Sequence, residues 1–382
     1  MDPSKLVNRF PCPGCGADLE FQPKIGRLQC PYCGREEQIQ HGNQAVEEHP
    51  YSQALNSLTG QTSLLSSQAL EVACSDCGAS ITFEPPEVAG KCPFCAANIV
   101  TQPKSAHPVL TPGGVLPFAM QKQEARTNIQ QWLGNRWFAP NSLNKIAQQE
   151  ELSGVYLPFW TYDCQAISDY RGERGEHYYV TETYTEIEDG KSVTKTRQVQ
   201  KTRWHPASGR VSRLFDDVLV AATQVVNKKR LDALEPWDLS ALCPYQPSYL
   251  AGFKAQRYQV KLDEGFEVAK QWMTSVIHQD VCRNIGGDEQ RVHHIATTHR
   301  NTTFKHILLP IWISAYRFNN QQYQVLVNAR TGEVLGDRPY SAWKILSFAL
   351  LCTAVLAGVL WLLNPQQQND LPLPVPPSDQ PP

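Results

Sequence analysis

Apolar positions along the chain follow three patterns. Over Glu124–Phe138 the residues Ile129, Trp132, Leu133 and Trp137 recur at helical spacing, and over Gly265–Ile285 the residues Phe266, Ala269, Met273, Val276 and Ile277 do the same. Both stretches are predicted as helices with one buried face. Runs of β-branched and aromatic residues predict strands over Val155–Ser168, Tyr178–Ile187, Val193–Trp204, Val218–Thr223, Phe253–Leu262, Ile307–Phe318 and Tyr323–Val327. The third pattern is ILSFALLCTAVLAGVLWLL, Ile345–Leu363, which has no charge and no strongly polar group.

The mixture of helical and alternating periods predicts an α+β, mostly antiparallel body over residues 115–340, long enough to bury a sizeable core. Ahead of it, residues 37–71 are rich in Gln, Ser, Asn and Glu and read as a flexible linker, with room for a short helix near Leu55–Leu65. A second polar, proline-bearing stretch covers 101–114. Leu157-Pro158-Phe159-Trp160 and Leu309-Pro310-Ile311-Trp312 each follow a predicted helix and suggest a duplicated helix-plus-sheet half.

Within the body, Lys191–Arg213 holds seven lysines or arginines and no acid. Alone it would point to nucleic acid or anionic lipid. Asp189-Gly190 is a strong two-residue hairpin turn, however. Folding there sets Glu188 opposite Lys191, Glu182 opposite Arg197, Val180 opposite Val199 and Glu176 opposite Arg203. The other face pairs Thr185 with Thr194 and Thr183 with Thr196. A self-neutralised hairpin, 176–203, with two polar faces is predicted to project into solvent and to meet a partner.

The amino-terminal region carries the clearest chemistry. Cys12-x2-Cys15-x14-Cys30-x2-Cys33 recurs at an offset of 62 as Cys74-x2-Cys77-x14-Cys92-x2-Cys95, and Gly16, Ala17, Phe21, Pro23 and Pro31 recur as Gly78, Ala79, Phe83, Pro85 and Pro93. A Cys-x2-Cys pair forms a tight knuckle, and two knuckles offer one zinc ion four thiolates tetrahedrally. Two small, metal-stabilised zinc ribbons are therefore expected, 8–36 and 72–100, with one structural Zn2+ each; a four-thiolate site leaves no open position for catalysis. Gly16, Gly34 and Gly78 suit knuckles that need a positive φ, whereas Cys95 is followed by Ala96. A disulfide framework is the rival reading, disfavoured because no signal peptide precedes the repeats.

Residues 1–100 hold 6 basic and 11 acidic side chains. Nucleic-acid binding needs the opposite balance, so protein docking is the better expectation for the ribbons. The remaining cysteines, Cys164, Cys243, Cys282 and Cys352, have no Cys-x2-Cys partner and read as small apolar residues. His293, His294, His299 and His306 form the one other cluster, read as solvated or structural because no carboxylate or cysteine has ligand spacing with them.

The apolar run reads as a transmembrane helix over 343–363, since nineteen helical residues span about 28 Å. Trp343 and Trp361 lie near its ends, and Arg330, Arg338 and Lys344 precede it while no basic residue follows. That asymmetry places the amino-terminal body in the cytoplasm, where reduced thiols suit zinc, and leaves the Pro/Gln-rich tail 364–382 outside and disordered. No P-loop, nucleophile elbow, zincin or dinucleotide motif is present, and no enzymatic activity is expected.

Beyond the ribbons, GVYLPFWTYD (154–163), FDDVLVAAT (215–223), WDLSALCPYQPSYLAGF (237–253), FKHILLPIWISAY (304–316) and VNARTGEVLGDRP (327–339) together resemble a bacterial family of double zinc-ribbon, single-pass membrane proteins. The resemblance covers most of the chain. Its members are often labelled as similar to a replication-restart helicase or to a transcription-factor-type zinc ribbon, and similar proteins are associated with membrane-stress modules of the phage-shock type. It implies an adaptor beside membrane-scaffold partners in the inner membrane and brings no catalytic residues. The leading expectation is a membrane-anchored cytoplasmic adaptor. The alternatives are a membrane-tethered nucleic-acid-binding protein and an enzyme of unknown reaction in the body.

Overall fold

The computed structural model describes residues 10–39, 45–57, 70–74, 77, 79–83, 89–95, 98–100, 104–105, 110–135, 152–188, 191–318, 321–337 and 341–363. After the first ribbon come α1 (Tyr51–Ser57), β1 (Gly114–Val115), α2 (Lys122–Gly134), β2 (Leu152–Glu188), β3 (Lys191–Ala221), α3 (Lys228–Ala233), β4 (Lys254–Ala255), α4 (Leu262–Ile285), β5 (Glu289–Phe318), β6 (Gln321–Asn328), β7 (Val334–Gly336) and α5 (Ala342–Leu363). The class is the expected one: two four-cysteine units at the amino terminus, a mostly antiparallel sheet and one apolar carboxy-terminal helix.

Three strands dominate. β2, β3 and β5 contain 37, 31 and 30 residues and lie in the order β3-β2-β5. At about 3.3 Å per residue, β2 runs on the order of 120 Å. The strands expected over Val155–Ser168 and Tyr178–Ile187 are one strand, as are those over Val193–Trp204 and Val218–Thr223. Glycines in the intervening segments look like breaks but serve lateral packing. A Cβ on Gly172 would sit 2.3 Å from the Arg291 carbonyl oxygen, and one on Gly209 would sit 2.8 Å from Tyr170 Oη. Close approach, rather than a turn, is why these positions lack a side chain.

Three other expectations change. The strand over Phe253–Leu262 reduces to β4, because Gln259 and Val260 both donate to the Ala222 carbonyl and Leu262 already opens α4. The strand over Ile307–Phe318 extends back to Glu289 through the histidine-bearing stretch, held by β2. The stretch 37–71, read as a flexible linker, contains a two-residue strand, His49–Pro50, paired with Thr303 and Phe304, followed by α1. Residues 58–69, and Phe138 at the end of the predicted first helix, lie outside the described residues.

The two Leu-Pro segments lie side by side, Leu157 opposite Leu309, and the contacts around them repeat. β1 pairs in parallel with β5, and β4 pairs in parallel with β2. Trp312 Nε1 donates to the Met120 carbonyl ahead of α2, and Trp160 Nε1 to the Val260 carbonyl ahead of α4, both at 3.0 Å. The Ala222 N–H donates to Pro158 and the Ala329 N–H to Pro310. Both helices open with a glutamate reaching back to the cap N–H, Glu124 to Gln121 and Glu264 to Lys261. Each half thus places its helix against the other half's tryptophan, a pseudo-twofold arrangement. The halves diverge in the return strand: β3 runs 31 residues and builds the arm with β2, whereas β6 runs only 8 beside β5.

Alternation along β2 and β5 sorts the core into two faces. Leu152, Tyr156, Leu308 and Trp312 share one face with α2 and with Leu19, Phe21, Leu28 and Ile39 of the first ribbon. Val155, Leu157, Phe159, Ile307, Leu309 and Ile311 share the other with Leu231 and with Cys74, Cys92, Phe94 and Cys95 of the second ribbon. Farther along the first face, Trp160, Tyr162, Cys164 and Ala166 are covered by Phe266, Ala269, Met273 and Ile277 of α4.

α4 crosses the sheet closely at Gly265, where a Cβ would meet Tyr162 Oη at 2.5 Å and Trp160 Cδ1 at 2.8 Å. Gly265→Val is therefore expected to lift the helix and cost about 2–3 kcal/mol, read as a lowered denaturation midpoint. Gly134→Ala, where a Cβ meets nothing within 4 Å, should be neutral or slightly stabilising.

Candidate metal centres

The folding of each ribbon brings its four cysteines together, as the spacing predicts. In both groups the sulfurs lie within 4.8 Å of one another. Pair separations are 3.5 Å for Cys12–Cys33 and 3.4 Å for Cys15–Cys30, then 3.5 Å for Cys74–Cys95 and 3.7 Å for Cys77–Cys92. A tetrahedron with metal–sulfur bonds near 2.3 Å has edges of about 3.8 Å, so both groups could hold a metal ion. None of the twelve cysteines is joined to another, and the four-fold grouping favours a metal site over a disulfide framework.

The first ribbon is a three-stranded sheet of Glu20–Gln22, Arg27–Gln29 and Glu36–Glu37. Gly16 and Gly34 take φ of 77° and 73°, as the knuckles require; Gly78 lies outside the described residues. Backbone N–H groups of Gly14 and Cys33 point at Cys12 and Cys30 sulfurs, at 3.4 and 3.5 Å. The Cys33 N–H holds the Cys30 thiol down at about 6, and the Cys92 hydrogen bond holds Cys77 down at about 5. Their partners move the opposite way, Cys15 up to about 12 and Cys92 upward through its hydrogen bond with Cys77, so within each pair one thiol gives up its proton more readily than the other.

Neither ribbon stands free. The first docks through its hairpin: Phe21 meets Tyr249 edge-on at 5.5 Å, its N–H donates to the Ala251 carbonyl, and Lys24 pairs with Glu124 at 3.0 Å. The second docks through its knuckle, where Phe94 is 1% exposed and its carbonyl accepts from Gln324 Nε2.

Between the ribbons, the docked linker closes a charge cluster that sequence reasoning missed. Lys305 Nζ lies 2.7 Å from Asp217, 3.1 Å from Glu48 and 4.0 Å from Asp163. Thr303 Oγ1 also donates to Glu48, at 2.9 Å. All three long strands are irregular at this level. β2 shifts register between Tyr162 and Cys164 against β3 and between Asp163 and Gln165 against β5, while Asp217 and Asn301 adopt φ of 48° and 51°. Bulges of this kind re-aim side chains. Here they turn Asp217 so that its N–H donates to Asp163 at 2.5 Å. Burial pushes the Asp163 carboxyl up to about 6, against the pull of Lys305. For Glu48 burial also pushes upward, but hydrogen bonds from Lys305 and Thr303 outweigh it and hold the carboxyl below its usual range. Nothing in the sequence signals the cluster, because its members are up to 257 positions apart.

The arm carries the predicted register: Glu188 opposite Lys191, Thr185 opposite Thr194, Thr183 opposite Thr196, Glu182 opposite Arg197, Val180 opposite Val199 and Glu176 opposite Arg203. The turn residues Asp189 and Gly190 lie outside the described residues. Lys195 pairs with Glu186, and Lys201 and Arg197 both reach Glu182. These three bases are paired within the hairpin, while Arg210 and Arg213 at the end of the positive run pair with Asp169 and with Asp280 of α4. β5 supports β2 only as far as Gly175 opposite Glu289, so 176–203 projects as two strands, with Tyr179 64% and Ile187 77% exposed.

The histidines do not converge. His293 sits near Glu173, at 3.6 Å; His299 lies against Phe266; His306 is buried between Trp160 and Tyr258, donates from Nδ1 to the Leu110 carbonyl, and is pushed down to about 4 by burial. Cys164 packs its sulfur 3.7 Å from Met273 and is raised to about 11 by burial. Cys352, by contrast, is exposed on α5. Within α5, Trp343–Leu360 has a mean hydropathy of 2.0 and none of it is buried against the protein. It is long and apolar enough to cross a membrane.

No family model matches the chain, and no solved structure matches it. Over 252 residues it is 26% identical to YdjG, an uncharacterized protein of Bacillus subtilis (strain 168), an alignment that covers 65% of this chain and 69% of that protein.

Proposed function

We propose that this chain is a zinc-stabilised, membrane-anchored cytoplasmic adaptor whose projecting arm docks a protein partner. Zinc is the ion that two closed sets of soft thiolates select. α5 is the anchor, and Arg330 and Lys344 ahead of it, as the flanking charge rule requires, keep the body cytoplasmic. No catalytic role is assigned to the body. The resemblance to membrane-stress proteins suggests the setting.

The observation that carries this reading is the placement of the arm relative to α5. The Asp337 N–H, just ahead of α5, donates to Gln324, which lies opposite Ala315 near the first residues of β2. The arm tip lies at the other end of β2, on the order of 100 Å away along the strand. Both ribbons are anchored on the body, the first with Cys15, Tyr32 and Cys33 left at the surface, whereas the arm projects beyond the sheet with Tyr179 and Ile187 exposed. A photo-crosslinking residue at Tyr179 in the membrane-bound chain is expected to capture a defined protein. The same protein should be captured from a second arm position, Ile187, and its co-purification with the membrane-bound chain should be lost when 178–201 is replaced by a two-residue turn. An unchanged partner set after that shortening would sink the docking role, and a chain lacking 342–363 that still sediments with washed membranes would sink the anchor.

A further inference from the structure

We propose that the first ribbon is a labile, thiol-reactive metal site, open to soft electrophiles, while the second is inert. The inference rests on the zinc reading. The two ligand sets are the same in sequence and differ in surroundings. In the first, Cys15 and Cys33 are exposed; their equivalents at the offset of 62, Cys77 and Cys95, are half-buried and buried. The aromatic residue inside the second knuckle tells the same story: Tyr32 is 83% exposed, and its counterpart Phe94 is 1% exposed.

The cause is the docking geometry. The first ribbon rests on the body through Phe21 and Leu28 of its hairpin, which leaves the second cysteine of each knuckle, Cys15 and Cys33, exposed while Cys12 and Cys30 stay buried. The second is turned the other way, with Phe94 and Cys95 set into the sheet face beside Leu309 and Leu326, and with Gln324 gripping the Phe94 carbonyl. An electrophile or a competing chelator must approach a sulfur directly. At the first site two of four sulfurs are exposed in the folded protein; at the second, Cys74, Cys92 and Cys95 are buried and only Cys77 is partly reachable, so attack there is slower. With iodoacetamide as the probe, an S–C bond forms at the thiolate, iodide leaves, and the sulfur becomes a neutral thioether. Such a sulfur no longer balances the charge of the ion, and the zinc held by three remaining thiolates passes to chelator.

The test uses the full chain in detergent with its zinc content measured first. Two ions per chain are expected; a content near zero in a metal-replete preparation refutes the zinc reading itself. The loaded chain is then treated with iodoacetamide beside a chromogenic zinc chelator, and modified cysteines are mapped by mass spectrometry with time. One zinc is expected to leave at least ten-fold faster than the other, with Cys15 and Cys33 modified first among the eight ribbon cysteines. Gln324→Ala, which loosens the clamp on Phe94, should speed release of the second ion without changing the first. Equal release rates, or earlier modification at Cys77 and Cys95, would overturn the assignment while leaving the zinc reading intact.

Discussion

Cys92→Ser is expected to reduce the metal content from two ions to one and to lower the stability of the whole body, not of the second ribbon alone. Cys92 and Cys95 are 1% and 0% exposed and share a core face with Leu157, Phe159, Leu309 and Leu326. Serine is a poor ligand for a soft ion, and a ribbon this small has little apolar surface of its own to hold it together. Metal binding supplies about 10–16 kcal/mol to comparable small zinc units, against a total stability of about 5–15 kcal/mol for a typical domain. Losing that site should therefore release the knuckle from the sheet and expose the face beneath it. The measurement is metal content together with the thermal midpoint, expected to fall by more than about 10 °C for a loss of several kcal/mol. Cys33→Ser should also remove one ion, with a smaller fall, because the first ribbon is held through Phe21 and Leu28 rather than through its knuckles. Equal falls would show that the two dockings contribute alike.

Lys305→Met is expected to cost about 3–5 kcal/mol near neutral pH, the usual penalty for stripping one partner from a buried ion cluster. Lys305 is 7% exposed and is the only cation within 4 Å of Glu48, Asp163 and Asp217 among the described residues. Without it, three carboxylates from three segments face one another. The penalty should depend on pH in a stated direction. Asp163 is already raised from 3.8 to about 6, burial first. A carboxyl raised in the folded state favours folding below its unfolded value, and that contribution is lost as pH rises through the folded value. Removing the lysine takes away the attraction that opposed burial, so the folded value climbs further and the deficit grows between about pH 5 and neutrality. Denaturation curves at about pH 5 and pH 7.5 check this; a deficit independent of pH would contradict it. Asp163→Asn in the same chain should recover part of the loss by removing one of the stranded charges.

Much of the local structure is legible in the sequence. Each Cys-x2-Cys pair, the glycines at positive φ, the two capped helices and the arm's register depend on residues within a few positions or across one tight turn. Alternation along the arm set Glu182 against Arg197, and β2 and β3 pair in that register. The long strands were harder. The sequence predicts separate strands on either side of the segments that hold Gly172, Gly175 and Gly209, because a glycine that admits a neighbouring strand looks the same in sequence as one that makes a turn. The linker was harder still. Its strand of two residues has no periodicity, and it is held by Glu48 to a lysine 257 positions away. Tyr51, a lone aromatic beside it, finds Phe266 at 4.7 Å.

The doubled ribbons separate the two kinds of information. The sequence by itself determined that two groups of four thiols would converge, because knuckle geometry is local and the spacing recurs at an offset of 62. Only the tertiary structure decided that Tyr32 would face solvent and Phe94 the core. Burial belongs to the surface that a segment meets, not to the segment. The first ribbon meets Tyr249 through its hairpin, the second meets Gln324 through its knuckle, and identical ligand patterns therefore acquire different access to water.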